Sequence, residues 1–384
     1  MHYAVPALLA RVGILEQFYT DICGNIGIFK YLNYFFPVSF LPKPLQRLLG
    51  RKLPPEIPSS KLKTCSVTSL INFIQKQPYK TQKQIQKQVL QDNFLQANAL
   101  YTNCINSDIE LATKAKEKGL KVIHEVIINP DVGQILHEER NRFPNLEAQN
   151  NLEQVQAGIE RDKQKWSLSD LILVPSQFVY ESVTRLGAPP EHVTIVPYGI
   201  DSDWFDEVPN RQKGRVLFVG SVGLRKGNHY LAQAVRFLQE RSIPCDARVV
   251  GPYKNTIIEH PEFRGPQYIG QVPRSEVRKE FLQADIFVLP TLSDSFALVH
   301  LEAMACGVPV ITTPNCGSVV RDGIDGFIVP IRDAESLADR MEQLLTDDRL
   351  RDRMSRNAKE RAKEFTWDKY CDRLIEAFQM LSIP

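Results

Sequence analysis

The chain has 384 residues, 43% of them hydrophobic and 24% charged, with a formal net charge of +2. This composition excludes a disordered chain, and the near-neutral balance gives no reason to invoke a nucleic-acid partner. The length allows about two or three domains. The charge is uneven: residues 1–90 hold twelve Lys and Arg against three acids, a net of +9 that leaves −7 for the rest. Such a basic face suits solvent, an anionic substrate or an acidic membrane leaflet. Seven scattered cysteines, with no C-x-x-C pair, read as reduced thiols of a cytoplasmic protein. The sequence shows no secretory signal and no apolar run of about 18 residues, and its most apolar stretch, Tyr31 to Leu41, is interrupted by Pro37.

In chain order, the start reads as a helix followed by a strand candidate over Glu16–Ile22. A Pro- and Gly-rich, aromatic-basic stretch follows, with Lys30–Lys52 at its centre, then Gln/Lys-rich helical sequence at 74–92. From about residue 98 short apolar runs alternate with amphipathic stretches. Strands are expected at 98–103, 120–124, 171–174, 193–196, 215–220, 246–251, 285–290 and 308–312, rich in Val, Ile and Leu as buried parallel strands are. Helices are expected at 106–118, 131–142, 147–167, 177–187, 227–241, 274–283 and 297–306, with Ser176 and Ser275 as N-caps. Helical sequence closes the chain at 333–346, 347–363 and 366–381. The alternation predicts an α/β fold of doubly wound layers. Pro197 and Gly199 mark a break between two of them, giving domains 1–197 and 198–365 with the final helix, 366–384, returning to the first.

Two segments carry chemistry. In Arg215–Val235 a strand ends at Gly220, a Gly-containing loop follows, and Arg225 and Lys226 stand where the next helix begins. Free N–H groups, the positive end of a helix dipole and two cations suit a diphosphate. The spacing is neither that of a P-loop nor that of the dinucleotide fingerprint. In Ala284–Val320 a buried strand leads to Asp294, and a helix carries Glu302 eight residues on. A carboxylate there can accept hydrogen bonds from the vicinal hydroxyls of a ribose, and Asp294 can do the same for a sugar.

These motifs resemble those of retaining glycosyltransferases of family 4, which have the GT-B fold. The resemblance rests on Asp294, Phe296, Ala297, Leu298, Glu302-Ala303-Met304-Ala305, Gly307 and Pro309-Val310-Ile311. Gly317, Asp322-Gly323, Gly326-Phe327 and the hinge Gly199-Ile200-Asp201 add to it. It implies two Rossmann-like domains facing an interdomain cleft, with Lys226 on the donor diphosphate, Glu302 on the ribose and Asp294 on the transferred sugar. It also implies donor contacts from Arg225, Ser221, Ser295, Phe296, Ala297 and Leu298, and places Val272, in the loop 270–273, near the base. His124 resembles the family's catalytic histidine, so the catalytic set is His124, Asp294 and Lys226.

The implied reaction moves a sugar from a nucleoside-diphosphate sugar to a glycan, lipid-linked or small-molecule acceptor, in polysaccharide or cell-envelope glycoconjugate synthesis. It proceeds on the leaving-group face through an oxocarbenium-like state, with no cofactor and no metal. Asp201-Ser202-Asp203 is a D-x-D in the hinge motif and is not expected to bind one. The basic-aromatic segment suggests peripheral contact with the inner face of a membrane.

Three departures stand out. Ser221 replaces an Arg common in relatives, Asp294 replaces a Glu, and no first strand with its Gly-rich loop precedes the first helix. The last suggests a start upstream of Met1. The alternative is a weakened or non-catalytic partner subunit.

Overall fold

The computed structural model describes residues 3–26, 50–65, 69, 71–72, 75, 78–103 and 108–381. Most of the basic-aromatic segment Lys30–Lys52 therefore lies outside the described residues. The chain divides into two compact units: Met1–Glu125, Gln164–Ile172 and Leu374–Pro384 form the first, and Val126–Lys163 with Leu173–Arg373 the second.

In the first unit, helix α1 (Ala4–Arg11) precedes strand β1 (Phe18–Thr20), which pairs in parallel with β2 (Leu62–Thr64). Helix α2 (Pro78–Gln91) follows, then β3 (Ala99–Thr102), α3 (Ile109–Glu117) and β4 (Lys121–Glu125). β3 and β4 run parallel, Ala99 opposite Lys121 and Thr102 opposite His124. Leu111, Ala112 and Ala115 give α3 one apolar face, which joins Val89, Phe94 and Val122 in a local core.

The second unit begins with α4 (Val132–Arg142) and most of α5 (Leu152–Leu168), and includes the end of β5 (Leu171–Val174), α6 (Gln177–Arg185) and β6 (Val193–Ile195). Its main sheet holds β7 (Arg215–Val219), β8 (Asp246–Val250), β9 (Gln267–Gly270), β10 (Ile286–Leu289), β11 (Val310–Thr312) and β12 (Gly326–Ile328). Across the sheet the order is β12-β11-β10-β7-β8-β9, and the pairings are parallel. This is the Rossmann order, in which strand order reverses between the first and fourth strands and ligands bind at that switch point. Here the switch lies between β7 and β10.

Helices α7 (Asn228–Glu240), α8 (Asn255–Ile258), α9 (Arg274–Gln283), α10 (Leu298–Ala305), α11 (Ala334–Thr346), α12 (Asp348–Ala362) and α13 (Trp367–Gln379) complete the described elements. β10 is buried along its whole length, as its run of Ile, Phe, Val and Leu requires between helical layers.

The expected elements appear with ends moved by a few residues. The sequence reading missed β2, β9, β12 and the one-turn helix α8. β9 is an edge strand with alternate residues exposed, so it lacks the apolar run that marks the central strands. Ser176 caps α6, its Oγ accepting the Val179 N–H at 3.3 Å. Ser275 does not cap α9: the helix starts at Arg274 and Pro273 holds the cap position, where its fixed φ and missing N–H suit a helix start. Among the described residues, no helix is long and apolar enough to cross a membrane.

Candidate functional site

The loops that leave β7 and β10 at the switch point meet. Arg225 O accepts hydrogen bonds from Leu292 N–H and Thr291 Oγ, each at 2.9 Å. The first loop ends in a short turn, Leu224–Lys226, and Gly227 then caps α7 with φ of +70°. A Cβ at Gly227 would lie 1.9 Å from Pro290 O, so both the left-handed backbone and the close loop contact demand glycine.

This packing brings Arg225, Lys226 and Asp294 together. Lys226 Nζ pairs with Asp294 Oδ2, and Arg225 bonds Ser293 O at 3.1 Å, with Asp294 Oδ1 3.9 Å away. Arg225 thus stands as a second cation beside Asp294, and Ser221 is exposed on the same loop.

The second loop is fixed by backbone bonds. Asp294 N–H donates to Asn315 O at 3.0 Å and Gly317 N–H to Asp294 O at 2.7 Å. Ala297 N–H donates to Gly317 O, and Leu298 N–H to Phe296 O, so these two groups of the 295–298 loop are engaged within the protein. Ser295 Oγ accepts Asn129 N–H at 2.7 Å, and Ser295 O accepts Ser176 Oγ at 2.8 Å. Phe296 meets Tyr198 edge to face at 5.4 Å. The hydroxyl of Ser295 and the ring of Phe296 therefore hold the loop in place.

Glu302, in the second turn of α10, is 9% exposed. Its near cation is Arg274, 3.5 Å away and largely in solvent. Burial pushes the Glu302 carboxyl above the ordinary range, opposed by Arg274 and Arg278 and helped by Asp201. A buried carboxylate with its oxygens so little engaged suits neutral hydroxyl donors. Val272 is half-buried, in the loop before α9. On the same helix as Glu302, His300 is buried, and desolvation pushes its imidazole down to about 3.

His124 belongs to the first unit. Its Nδ1 lies 3.7 Å from Asp108 Oδ2, which also accepts the Thr102 hydroxyl at 2.9 Å, while Lys165 Nζ is 3.6 Å from Asp108 Oδ1. Burial is the main cause that pushes His124 down to about 4, with Asp108 opposing and Lys165 assisting. The imidazole is therefore neutral at physiological pH.

The hinge Asp203 pairs with Arg278 at 2.7 Å. Among the described residues, no three His, Cys, Asp or Glu side chains gather closely enough to hold a metal ion.

Sequence reading missed two carboxylates, Glu139, which holds the first turn of α7, and Glu147, which holds the loop before it. Glu139 of α4 is fully buried and accepts from Tyr230 Oη at 2.7 Å, His229 Nε2 at 2.9 Å and Arg332 Nε at 2.6 Å. Burial alone would raise its carboxyl, but the three hydrogen bonds outweigh burial and hold it below its usual value. Glu147 Oε1 accepts Leu224 N–H at 2.8 Å. No local pattern marks either residue, because, Arg140 aside, their partners stand 77 to 193 positions away.

Residues 201–361 match the family model described as glycosyl transferases group 1. Among curated proteins, the chain is 29% identical over 228 residues to the D-inositol 3-phosphate glycosyltransferase of Kribbella flavida, covering 52% of this chain and 54% of that protein. It is 31% identical over 179 residues to the protein of the same name from Corynebacterium urealyticum, covering 43% and 42%. The chain spans about half the length of the curated relatives it matches. Among solved structures, Anabaena HepE in complex with UDP and glucose aligns with a TM-score of 0.63 at 14% identity, over 98% of this chain and 95% of that one. Sucrose-phosphate synthase from Thermosynechococcus elongatus aligns at 0.62 and 18%, over 86% and 87%. The matched segment contains Arg225, Lys226, Asp294 and Glu302, and the aligned structures share the GT-B fold.

Proposed function

We propose that the chain is a retaining, metal-independent glycosyltransferase of family 4 that moves a sugar from a nucleoside-diphosphate sugar to a glycan, lipid-linked or small-molecule acceptor. The observation that carries this reading is the assembly of Arg225, Lys226 and Asp294 at the β7–β10 switch point, with the buried Glu302 on the helix that follows. Lys226 and Arg225 neutralise charge as the nucleoside diphosphate departs, which lowers the barrier where charge develops. Glu302 accepts hydrogen bonds from ribose hydroxyls, and Asp294 contacts the transferred sugar. His124 takes its catalytic role from its family motif, as a neutral imidazole.

The complexes of HepE with UDP and with UDP-glucose support a nucleotide-sugar donor. Polysaccharide or cell-envelope synthesis, at the cytoplasmic face of a membrane, is the setting we assign. A thermal-shift screen of nucleotide-sugars tests the donor site, because a ligand that binds the native state raises the melting temperature with concentration. Transfer should vanish in Lys226→Ala and Glu302→Ala; full activity in both would remove the assignment. Sedimentation with anionic and neutral vesicles tests the membrane contact, and no binding to either would remove it.

The pairing of Lys226 with Asp294 and the exposed Ser221 favour a second reading, a non-catalytic partner subunit. Donor binding with no turnover across an acceptor panel would select it.

A further inference from the structure

The Lys226 loop is gripped from outside its own motif. After α4 the chain packs against α7 and the turn before it. Phe143 packs edge-on against His229 at 4.6 Å, Leu146 rests on the sheet core, and Glu147 reaches the loop itself. Glu147 Oε1 accepts the Leu224 N–H at 2.8 Å, at the start of the turn that carries Arg225 and Lys226. Its Oε2 is held by Arg140 at 3.1 Å. A Cβ on Gly223 would lie 2.7 Å from Glu147 Oε1, so the glycine makes room for the carboxylate. On the far side of Lys226, Glu139 fixes His229 and Tyr230 in the first turn of α7. The turn is thus tied on both sides to one segment, 139–147.

We propose that Glu147 is a positioning residue for the diphosphate-binding turn, and that it sets where Arg225 and Lys226 stand when the donor binds. This rests on the donor reading above. The physical reason is that Leu292 and Thr291 hold Arg225 O and Pro290 crowds Gly227, whereas at the start of the three-residue turn Gly223, its N–H on Asn228 Oδ1, leaves the backbone freedom of a glycine. A charge-assisted acceptor on its first N–H removes that freedom before binding, so the ligand does not have to impose the order.

The test measures UDP affinity by calorimetry, with the melting temperature followed in parallel. Glu147→Ala should weaken UDP binding about tenfold, the scale of one hydrogen bond to a charged group. Glu147→Gln keeps an oxygen for the Leu224 N–H and should stay within about threefold of wild type. Gly223→Ala, which displaces the carboxylate without deleting it, should reproduce the loss and serves if Glu147→Ala folds poorly. Because Glu147 acts through the turn that bears Arg225, the losses in Glu147→Ala and Arg225→Ala should not add in the double variant. Wild-type UDP affinity in Glu147→Ala and Gly223→Ala, with binding lost in Lys226→Ala, would overturn this proposal alone. Additive losses with no rescue by Gln would also overturn it, since Glu147 would then act only on stability. Failure of the wild-type chain to bind UDP, GDP or ADP would overturn the donor reading and this proposal with it.

Discussion

Lys226 and Asp294, 68 residues apart in the chain, are paired with each other across the loops that leave β7 and β10. In the proposed function the cation serves the donor diphosphate and the acid serves the sugar. The cation is therefore already paired with an internal anion that competes with the donor's. Asp294→Asn removes that competitor. It should tighten UDP binding about fivefold, equivalent to a pair worth about 1 kcal/mol, while sugar transfer falls. Calorimetry and a radiolabelled-donor assay read the two effects; weaker UDP binding in Asp294→Asn would contradict the competition.

Glu302 predicts a conflict between stability and function. An acid whose folded-state pKa is raised binds more protons when folded, so its contribution is full below the unfolded value and is lost as pH rises through the folded one. Once ionised, Glu302 is a burden on the fold. Glu302→Gln should raise the melting temperature at pH above the folded-state value; the gain should fade as pH falls through that value and be gone below the ordinary carboxylate range, about 4. Nucleotide binding should weaken in the same variant, because an amide presents one acceptor oxygen where the carboxylate presents two.

His124 should titrate near pH 4 rather than 6.5. Its folded-state value is depressed, so the unfolded chain binds more protons between those limits, and stability should rise with pH across that window. NMR of the imidazole carbons reads the titration directly. Replacing His124 with Asn should flatten the acid limb of the stability profile; a histidine titrating at 6.5 in the wild type would contradict the burial argument.

Glu139 carries three hydrogen bonds on one buried carboxylate. Glu139→Ala strands Arg332 beside α4 and should cost about 3–5 kcal/mol, as removing one partner of a buried ion pair does. Urea unfolding measures it. A loss below about 1 kcal/mol would mean that water or another group replaces the carboxylate.

The sequence by itself determined the layers and the motif positions. Runs such as Ile286–Leu289 are apolar because both faces of a parallel strand are covered, and that local burial leaves a local pattern. Lys226, Asp294 and Glu302 are legible for a related reason: each sits at a fixed offset from a strand or helix end. Edge strand β9 escaped because half of it faces solvent. Ser275 was misread because Pro273 starts the helix two residues earlier. Only the tertiary structure decided that Lys226 pairs with Asp294, that Glu139 gathers His229, Tyr230 and Arg332, and that Glu147 seats against Gly223. These contacts depend on which strand ends the sheet order brings together and on how α4 lies against α7. No periodicity of the chain records that arrangement, because the partners are neighbours in space and not along the sequence.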